Sequence, residues 1–497
     1  MVTRNRFKSN ATALALMMTV SLVAWGQTEQ PLAYSIATPR PISPADGTTT
    51  PSAQATQTQN PYLGSVPSKN TGEQIDLSFK SAIDRGLRYN LGIVESGQAS
   101  VAVRSARLRA LAALLPQLSA TATQAYENIS YKEIGLKLPP IPGLGSLPAT
   151  SGGFGYQDAR VKLEQSLFNA QLRNEYRARQ SNERASASSI QDSHDVVVFS
   201  VATAYSQVVA TAARLETAKA QLASARELEE QTANRFKSEL SPEIDSIQAQ
   251  VERQSAEQRV TNVANQLAKD KLTLARIIGL GVDQHFQLTD RLTYRPAPGL
   301  TNESFTQEAL DGRADLRSAE ASVEAAKFNL RAQKAQRLPT VSISANYGGG
   351  GTNVGNFNQV YAIAGNVSVP IFTGGRIHAD IEQAEAELTR REAEYEDLKG
   401  RVTYDVRVAW LDLSASDSSV KVAQRNKELA SRALAQSQDR YTNGVTNYLE
   451  VVQAQEAVVT ANENYIESVF SYRVALIALA RAVGNAETKL SELLGGN

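Results

Sequence analysis

The fold is decided by a stretch that the chain contains twice. Residues 440–484 read RYTNGVTNYLEVVQAQEAVVTANENYIESVFSYRVALIALARAVG, and residues 235–279 read RFKSELSPEIDSIQAQVERQSAEQRVTNVANQLAKDKLTLARIIG. The copies align without a gap, since 440 − 235 = 205 and 484 − 279 = 205. This offset is far longer than the period of about 20 to 50 residues in solenoid repeats, so the chain is a duplicated half. Identical residues at this offset include Gln248/Gln453, Ala249/Ala454, Gln250/Gln455, Leu274/Leu479, Ala275/Ala480 and Arg276/Arg481.

Each copy begins at a bend between two long helical patterns. The bend reads SELSPE at 238–243 and TNGVTN at 442–447. Because such clusters interrupt helices, each copy is predicted to be the bend and return arm of a helical hairpin. The outgoing arms precede them: residues 169–241 contain neither Gly nor Pro, and residues 376–443 contain only Gly400. Such helices are on the order of 100 Å long.

Ahead of each long helix the apolar period changes from about 3.6 residues to 2, and a proline marks the change. In the first half, one helical arm of roughly 40 residues is expected to end at Pro116. A β-hairpin is then predicted at about 117–168, with a long Pro-rich loop, and a second at about 340–372. Gly348–Gly351 lack the Lys-Ser/Thr of a phosphate-binding loop, so we assign them to the loop of the second hairpin.

Composition and the N-terminus narrow the class of protein. The chain has 51 acidic and 51 basic residues and no Cys, which gives no reason to expect nucleic-acid binding, disulfides or a lipid anchor on Cys. A basic start followed by the apolar run 11–24 predicts a signal peptide. No later window is expected to reach the roughly 18 to 20 apolar residues of a membrane-spanning helix.

The predicted fold class is mainly α with a transmembrane β part, in which long antiparallel helical hairpins form an α-barrel and two β-hairpins contribute to a β-barrel. Each half reads helix, hairpin, long helix, bend and return helix. The predicted segments are a signal peptide 1–26, a flexible leader 27–72, a first repeat 73–285 (long helix 169–238, return helix 243–279), a linker 286–302, a second repeat 303–485 (long helix 376–441, return helix 447–484) and a tail 486–497.

Four strands per chain point to an oligomer. The smallest closed membrane barrels need about eight strands, and an open sheet in lipid would leave unpaired backbone groups at its edges. The strands alternate weakly, as outer-membrane strands do. Closure must therefore come from further copies of the chain.

The sequence resembles the TolC-type outer-membrane efflux proteins over nearly all of its length after the leader. The resemblance rests on the duplication, on Leu114–Pro116 and Arg337–Pro339 leading into strands, on VPIFTGG at 369–375, and on the paired bends. It implies a homotrimer with a twelve-stranded barrel in the lipid of the outer membrane and an α-barrel through the periplasm. It also implies a periplasmic adaptor and an inner-membrane pump or ABC exporter as partners, with no cofactor.

The resemblance also places a gate at the bends. Two acidic rings in the family correspond to Glu450 and Gln453, and the second is an amide here. Asp245 and Tyr441 match positions that link the two hairpins in the closed state, whereas Thr446 stands where relatives can carry Arg. The alternative is that Asp245 and Glu450 are ordinary solvated helix residues.

The exposed tips are the predicted adaptor contact, which comprises Lys237, Ser238, Glu239, Leu240, Asn443, Gly444, Val445 and Thr446. Gly444 permits a positive φ, whereas the first copy has Glu239 in that place. The two tips need not be equivalent, and a different turn at the first stays open. A hairpin bend also needs no partner to account for its breakers.

No catalytic interpretation fits the sequence. His194, His285 and His378 lie far apart and lack a metal-ligand neighbour at the third or fourth position. We therefore expect a passive duct and not an enzyme. Two alternatives are a periplasmic coiled-coil adaptor and an exported structural coiled coil without a pore.

Overall fold

A computed structural model describes residues 60–68, 74–131, 149–296, 302–352 and 356–493. The predicted signal peptide and most of the predicted leader lie outside these residues. So do part of the first hairpin loop, part of the linker and the end of the tail.

Helices dominate the described residues, and they repeat. The helices are α1 (Phe79–Tyr89), α2 (Leu91–Ala112), α3 (Ala170–Lys237), α4 (Glu243–Ile278), α5 (Asn302–Gly312), α6 (Ala314–Ala335), α7 (Arg376–Thr442), α8 (Tyr448–Val483) and α9 (Ala486–Leu493). The return helices keep the offset of the sequence, since 448 − 243 = 205 and 483 − 278 = 205. The helices that directly precede the two β-hairpins, α2 and α6, have a larger offset, since 314 − 91 = 223. The longer connection inside the first hairpin accounts for the difference.

The first helical arm is two helices, and the prediction of one continuous arm was wrong. The chain breaks at Asn90 and, in the second half, at Arg313, both with extended backbone angles. The Asn90 side chain accepts from Gly92 N at 2.9 Å and so caps α2. Asn90 Nδ2 also donates to the carbonyl of Ile277, and Arg313 donates to that of Ala482. Since 482 − 277 = 205, the duplication extends to these contacts.

The long helices lie side by side in a fixed order. At one end of α3 the neighbours run α2, α3, α6, α7, and at the other end they run α4, α3, α8, α7. One flank of the layer is therefore formed by α2 and α4, and the other by α7. The apolar core lies around the middle of α3, between its two ends, and includes Tyr205, Leu274, Ile278 and Leu476.

The hairpins form one antiparallel sheet of four strands, in the order β2 (Gln117–Glu127), β3 (Phe154–Phe168), β5 (Thr340–Gly351) and β6 (Asn358–Ser368). Gly348–Gly351 lie inside β5, so their assignment to the loop was wrong. Their neighbours on β3 explain why glycine is needed there. A Cβ on Gly348 would lie 2.1 Å from the carbonyl oxygen of Ala159 and 2.9 Å from Arg160 Cγ.

Two short strands were not predicted. β1 (Ile75–Leu77) pairs in parallel with β4 (Phe286–Leu288), which lies in the segment read as a linker. Helix α9 lies in the segment read as a tail. The buried carboxylate of Asp195 accepts from Ala486 N at 2.9 Å and thereby holds the start of α9 against α3.

The expectation that no later window is apolar enough to span a membrane was wrong. Residues 196–213 of α3 carry no charged side chain. An 18-residue window of α3 has a mean hydropathy of 1.6, so α3 has the length and composition of a spanning helix. However, 56% of that window is buried inside the chain, as expected for a core helix.

Candidate functional site

The two helical hairpins, α3–α4 and α7–α8, have the same turn at their tips. Glu239 and Gly444 both have left-handed backbone angles, with φ of 58° and 73°. In each tip an N–H bonds back to the carbonyl five residues earlier: Leu240 to Arg235 at 2.8 Å, and Val445 to Arg440 at 2.9 Å. This is the Schellman pattern that closes helix C-termini. The two tips are therefore equivalent in backbone although one has Glu where the other has Gly.

The predicted adaptor-contact residues lie together at the two tips. Seven of the eight are exposed, and Thr446 is partly buried. Leu240 and Val445 occupy equivalent positions and are 67% and 66% exposed, so each tip presents one apolar side chain to solvent. Lys237 and Glu239 add opposite charges at the first tip, whereas the second tip has the neutral Asn443 and Gly444.

The structure brings Asp245 and Tyr441 together across the hairpins. The Tyr441 hydroxyl donates to Asp245 Oδ2 at 3.2 Å, so the start of α4 is tied to the end of α7. Tyr441 is buried, and burial together with the charge of Asp245 raises the pKa of its hydroxyl. The hydroxyl therefore keeps its proton and remains the donor near neutral pH.

Tyr441 sits in a small apolar cluster that joins four helices. Its ring meets that of Tyr448 edge to face, with centroids 5.5 Å apart. The buried members of the cluster are Leu228, Ala249, Tyr441, Tyr448 and Val451. On the other side, Cζ of Arg235 lies 5.0 Å from the centroid of the Tyr441 ring. Neither Arg235 nor Tyr448 was among the gate residues predicted from the sequence.

Glu450 is engaged within its own hairpin. Its carboxylate lies 3.4 Å from Arg440 Nη1 and accepts from the hydroxyls of Ser437, at 3.4 Å, and Thr446. Gln453 is exposed on the next turn of α8. The second bend thus carries a paired carboxylate and a neutral amide in place of two free carboxylates.

The sheet has one apolar and one polar face. Cross-strand rows on the apolar face are Leu118–Leu163–Ala345–Ile363 and Ala120–Val161–Tyr347–Tyr361. Leu118 is 72% exposed and Ile363 is 73% exposed, so this face is not covered by the chain itself. The polar face carries Ser and Thr on β2, Ser and Asn on β5, and four charges on β3, namely Asp158, Arg160, Lys162 and Glu164. On β6 the same face carries the small residues Ala362 and Ala364 and also Val360.

Two of the four charges on β3 lie against glycines of β5. Asp158 Oδ2 accepts from Arg160 Nε at 2.7 Å and from the Tyr156 hydroxyl at 2.9 Å. Asp158 pairs with Gly350, and Arg160 pairs with Gly348. The missing side chains on β5 give the β3 side chains room to lie flat on the sheet.

His194 lies in α3, His285 directly precedes β4, and His378 lies in the first turn of α7. Among the residues that the structure describes, no three His, Cys, Asp or Glu side chains are grouped as metal ligands would be.

Comparison with known proteins agrees with this architecture. A family model described as "Outer membrane efflux protein" matches residues 94–280 and 305–485, which is most of the chain and falls on its two halves. The chain belongs to the outer membrane efflux protein family. It is an outer-membrane channel for efflux or secretion, as the resemblance predicted, and this family favours the channel over the adaptor and the pore-less coiled coil.

Individual relatives are distant but cover much of the chain. The outer membrane efflux protein BepC of Brucella suis is 24% identical over 65% of this chain and 71% of its own length. The outer membrane protein TolC of Vibrio cholerae is 24% identical over 58% of this chain and 67% of its own length. The alkaline protease secretion protein AprF of Pseudomonas aeruginosa is 21% identical over 68% of this chain and 71% of its own length.

Solved structures share the fold. The crystal structure of VceC from Vibrio cholerae matches with a TM-score of 0.68 and 20% identity, covering 82% of this chain and 96% of VceC. A crystal structure of CusC matches with a TM-score of 0.70 and 18% identity, covering 87% of this chain and 99% of CusC.

Proposed function

We propose that three copies of the chain close into one duct, with a twelve-stranded barrel in the outer membrane and a hollow helical barrel beneath it. The observation that carries this proposal is the open, two-faced sheet. Within the described residues, β2 and β6 are each paired on one side only. Unpaired edges in lipid leave backbone groups unsatisfied at several kcal/mol each, so a sister copy is needed at both edges.

The two faces of the sheet suit this barrel. The apolar face would meet lipid, and the polar face would line water. The run of apolar rows from Val341 and Val367 up to Tyr347 and Tyr361 spans seven residues on each strand. At about 3.3 Å per residue the run is roughly 23 Å long, and a strand tilt of roughly 40° shortens it to a band about 18 Å high, which fits within the roughly 25 Å lipid-facing height of such barrels.

The flanks of the helical layer supply a second contact between copies. Each flank carries exposed apolar side chains at helical spacing, which in a closed trimer would meet the opposite flank of the next copy. On α2 and α4 they are Val94, Val101, Leu108, Ile244, Ile247, Val251 and Leu272, and on α7 they are Tyr404, Val408, Leu411, Val422 and Leu429. A contact between two different flanks is heterologous, and it closes into a ring when the rotation between copies allows.

The bends are the proposed periplasmic gate. The bond from Tyr441 to Asp245 holds the two hairpins of one chain together, and opening the duct would require it to break. Adaptor binding at the exposed tips would bias the hairpins between the closed and the open positions. Energy for transport would come from the inner-membrane partner, because a duct of this kind supplies none.

The substrate is proposed to depend on the partner pump or exporter. Relatives of similar distance include a toluene efflux pump outer membrane protein, a pyoverdine export outer membrane protein and an alkaline protease secretion protein. A channel that carries either small molecules or proteins would be wide and unselective, with selection made before entry.

Engineered cysteines test the closed barrel, because the chain has no cysteine of its own. Thr121→Cys on β2 is combined with a cysteine at position 360, 362 or 364 on β6. Within one copy these strands are separated by two others, roughly 14 Å apart, which is too far for a disulfide. We expect oxidation to give cross-linked trimers in one of the three registers. Purified protein that is a detergent-independent monomer, with no cross-link in any register, would exclude the duct.

A further inference from the structure

We propose that Arg235 is a second fastener of the periplasmic gate, acting on the ring of Tyr441 while Asp245 acts on its hydroxyl. This inference rests on the proposed function of the bends as a gate. It adds to that gate Arg235, which the sequence showed only as part of the paired bends Arg235-Phe236 and Arg440-Tyr441.

The geometry of Arg235 carries the proposal. Arg235 lies in the last turn of α3, and its guanidinium carbon lies 5.0 Å from the centroid of the Tyr441 ring in α7. Its Nη1 donates to the carbonyl oxygen of Thr442 at 3.1 Å. Both contacts cross from the first hairpin to the second. Arg235 thus holds the end of α7 by a cation–π contact and a hydrogen bond.

The duplication shows that this crossing is particular to one of two equivalent arginines. Arg440 corresponds to Arg235 at the offset of 205, and Glu450 corresponds to Asp245. Arg440 pairs with Glu450 inside its own hairpin at 3.4 Å. Arg235 makes no ion pair in the described part of the chain, because Asp245 is turned toward Tyr441. In the first half, Arg235 and Asp245 therefore do not pair with each other, and both contact Tyr441.

The environment strengthens a contact of this kind. Tyr441 is 6% exposed, and Arg235 Nε is buried without a hydrogen-bond partner among the described residues. A cation over an aromatic face gains more when water is excluded. The counterpart of Tyr441 in the first half is Phe236, which is exposed and has no cation–π contact among the residues that the structure describes.

A double-mutant cycle on the full-length processed trimer in planar bilayers tests the inference. Arg235→Met removes the charge and the donors but keeps a long side chain. We expect it to raise the open-to-closed ratio of the resting channel about two- to five-fold per subunit, the size of an exposed or partly buried cation–π contact. The same rise is expected in a Tyr441→Phe background, since the ring remains. In a Tyr441→Leu background most of the rise should disappear.

Three controls keep the outcome interpretable. Arg226→Met lies on the same helix, is exposed, and should leave conductance unchanged. Arg235→Lys keeps a cation but not the planar fork, so its effect should be smaller than that of Arg235→Met. Thermal melting and trimer bands of each variant exclude misfolding as the cause of a conductance change.

The outcomes separate this inference from the gate itself. A rise for Asp245→Ala and Tyr441→Leu with none for Arg235→Met would overturn the clamp and leave the gate standing. A rise for Arg235→Met that is equally large in the Tyr441→Leu background would also overturn it, because the ring would not be its target. No rise in any of these variants would overturn both the clamp and the gate.

Discussion

Glu239 and Gly444 occupy the same position of the same turn, one at each hairpin end, with φ of 58° and 73°. The left-handed conformation costs an L-residue with a Cβ roughly 1–2 kcal/mol, whereas glycine adopts it freely. Glu239 is therefore strained at the first tip. Gly444 at the second tip shows that the same turn forms with glycine in this position.

We expect Glu239→Gly to relieve this strain. The local stability of the first tip should rise by about 1 kcal/mol, less the greater chain entropy of glycine when unfolded. Gly444→Ala should have the opposite sign at the second tip. Hydrogen exchange of the amides in the last turn of α3 and of α7 measures both. Slower exchange in Glu239→Gly with no change in Gly444→Ala would contradict the shared strain.

The hydrogen bond between Tyr441 and Asp245 predicts that the closed tip can be loosened. Asp245→Ala combined with Tyr441→Phe removes both partners, so neither is left buried and unpaired. We expect the resting conductance of the reconstituted trimer to rise. Glu243→Gln is the matched control, because it is exposed in the same first turn of α4. If the double variant conducts like the unmodified channel, the hairpins are held closed by other contacts.

The helices could be predicted from sequence because their cause is local. The absence of Gly and Pro from 169–241 allows a helix of 68 residues, and the duplication gives the bend positions directly. The approach of Asp245 to Tyr441 was expected from the family resemblance. The break at Asn90 was not predicted, because its cause is the contact with the carbonyl of Ile277, far along the chain.

Other features depend on tertiary contacts that no window of sequence contains. Four glycines in a row favour a loop by propensity, and only pairing with β3 on one side and β6 on the other makes them part of a strand. β1 and β4 have three residues each and are 211 positions apart, as 286 − 75 = 211, so neither carries a readable period. The two arginines at 235 and 440 occupy equivalent positions in the two copies, and only the packing shows that their partners differ.

The pairing of Glu450 changes what its removal should do to ion selectivity. Glu450→Ala leaves Arg440 without its carboxylate, so each copy contributes an uncompensated positive charge. We expect the reversal potential in a salt gradient to shift toward anion preference. Arg440→Gln should shift it toward cations, and the double variant should return near the starting value. A double variant that matches Glu450→Ala alone would show that Arg440 does not compensate the carboxylate.

In the family a second acidic ring corresponds to Gln453, and its charge can be restored by substitution as a complementary test. Gln453→Glu adds an exposed carboxylate one turn from Glu450. We expect stronger cation preference and block by multivalent cations in bilayer recordings, both weakening as salt rises. Gln453→Asn is the neutral control.

The glycines of β5 predict a sharp difference between two alanine substitutions. A Cβ on Gly348 would lie 2.1 Å from the Ala159 carbonyl oxygen, whereas a Cβ on Gly365 of β6 meets nothing within 4 Å. Overpacking of this kind costs about 1–3 kcal/mol. We expect Gly348→Ala to lower the heat stability of the assembled protein and Gly365→Ala to leave it nearly unchanged, measured by band shifts on heating. Equal behaviour of both variants would place Gly348 outside the sheet.

Asp315 predicts how stability responds to acid. Burial alone would raise the pKa of its carboxyl, but Arg313 donates to both of its oxygens, at 3.0 and 2.6 Å, and the net pKa is lowered. A carboxyl whose folded pKa lies below its unfolded value of about 3.9 stabilises the fold above that value, and the contribution is lost as pH falls through the folded pKa. Asp315→Asn should therefore lower the free energy of unfolding at pH 7 by about 1–3 kcal/mol, since it removes the bidentate partner of Arg313 and leaves Asp405, at 3.5 Å, as its remaining carboxylate.

The difference between Asp315→Asn and the unmodified protein should shrink progressively below about pH 4, where the carboxyl of the unfolded chain becomes protonated while that of the folded protein is still ionised. Denaturant melts of the detergent-solubilised protein between pH 7 and pH 3 measure it. Asp311→Asn is the control, because Asp311 is exposed and accepts a hydrogen bond from the neutral side chain of Gln307 at 3.0 Å. A deficit for Asp315→Asn that stays constant down to pH 3 would mean that its cause is lost packing and not the ion pair with Arg313.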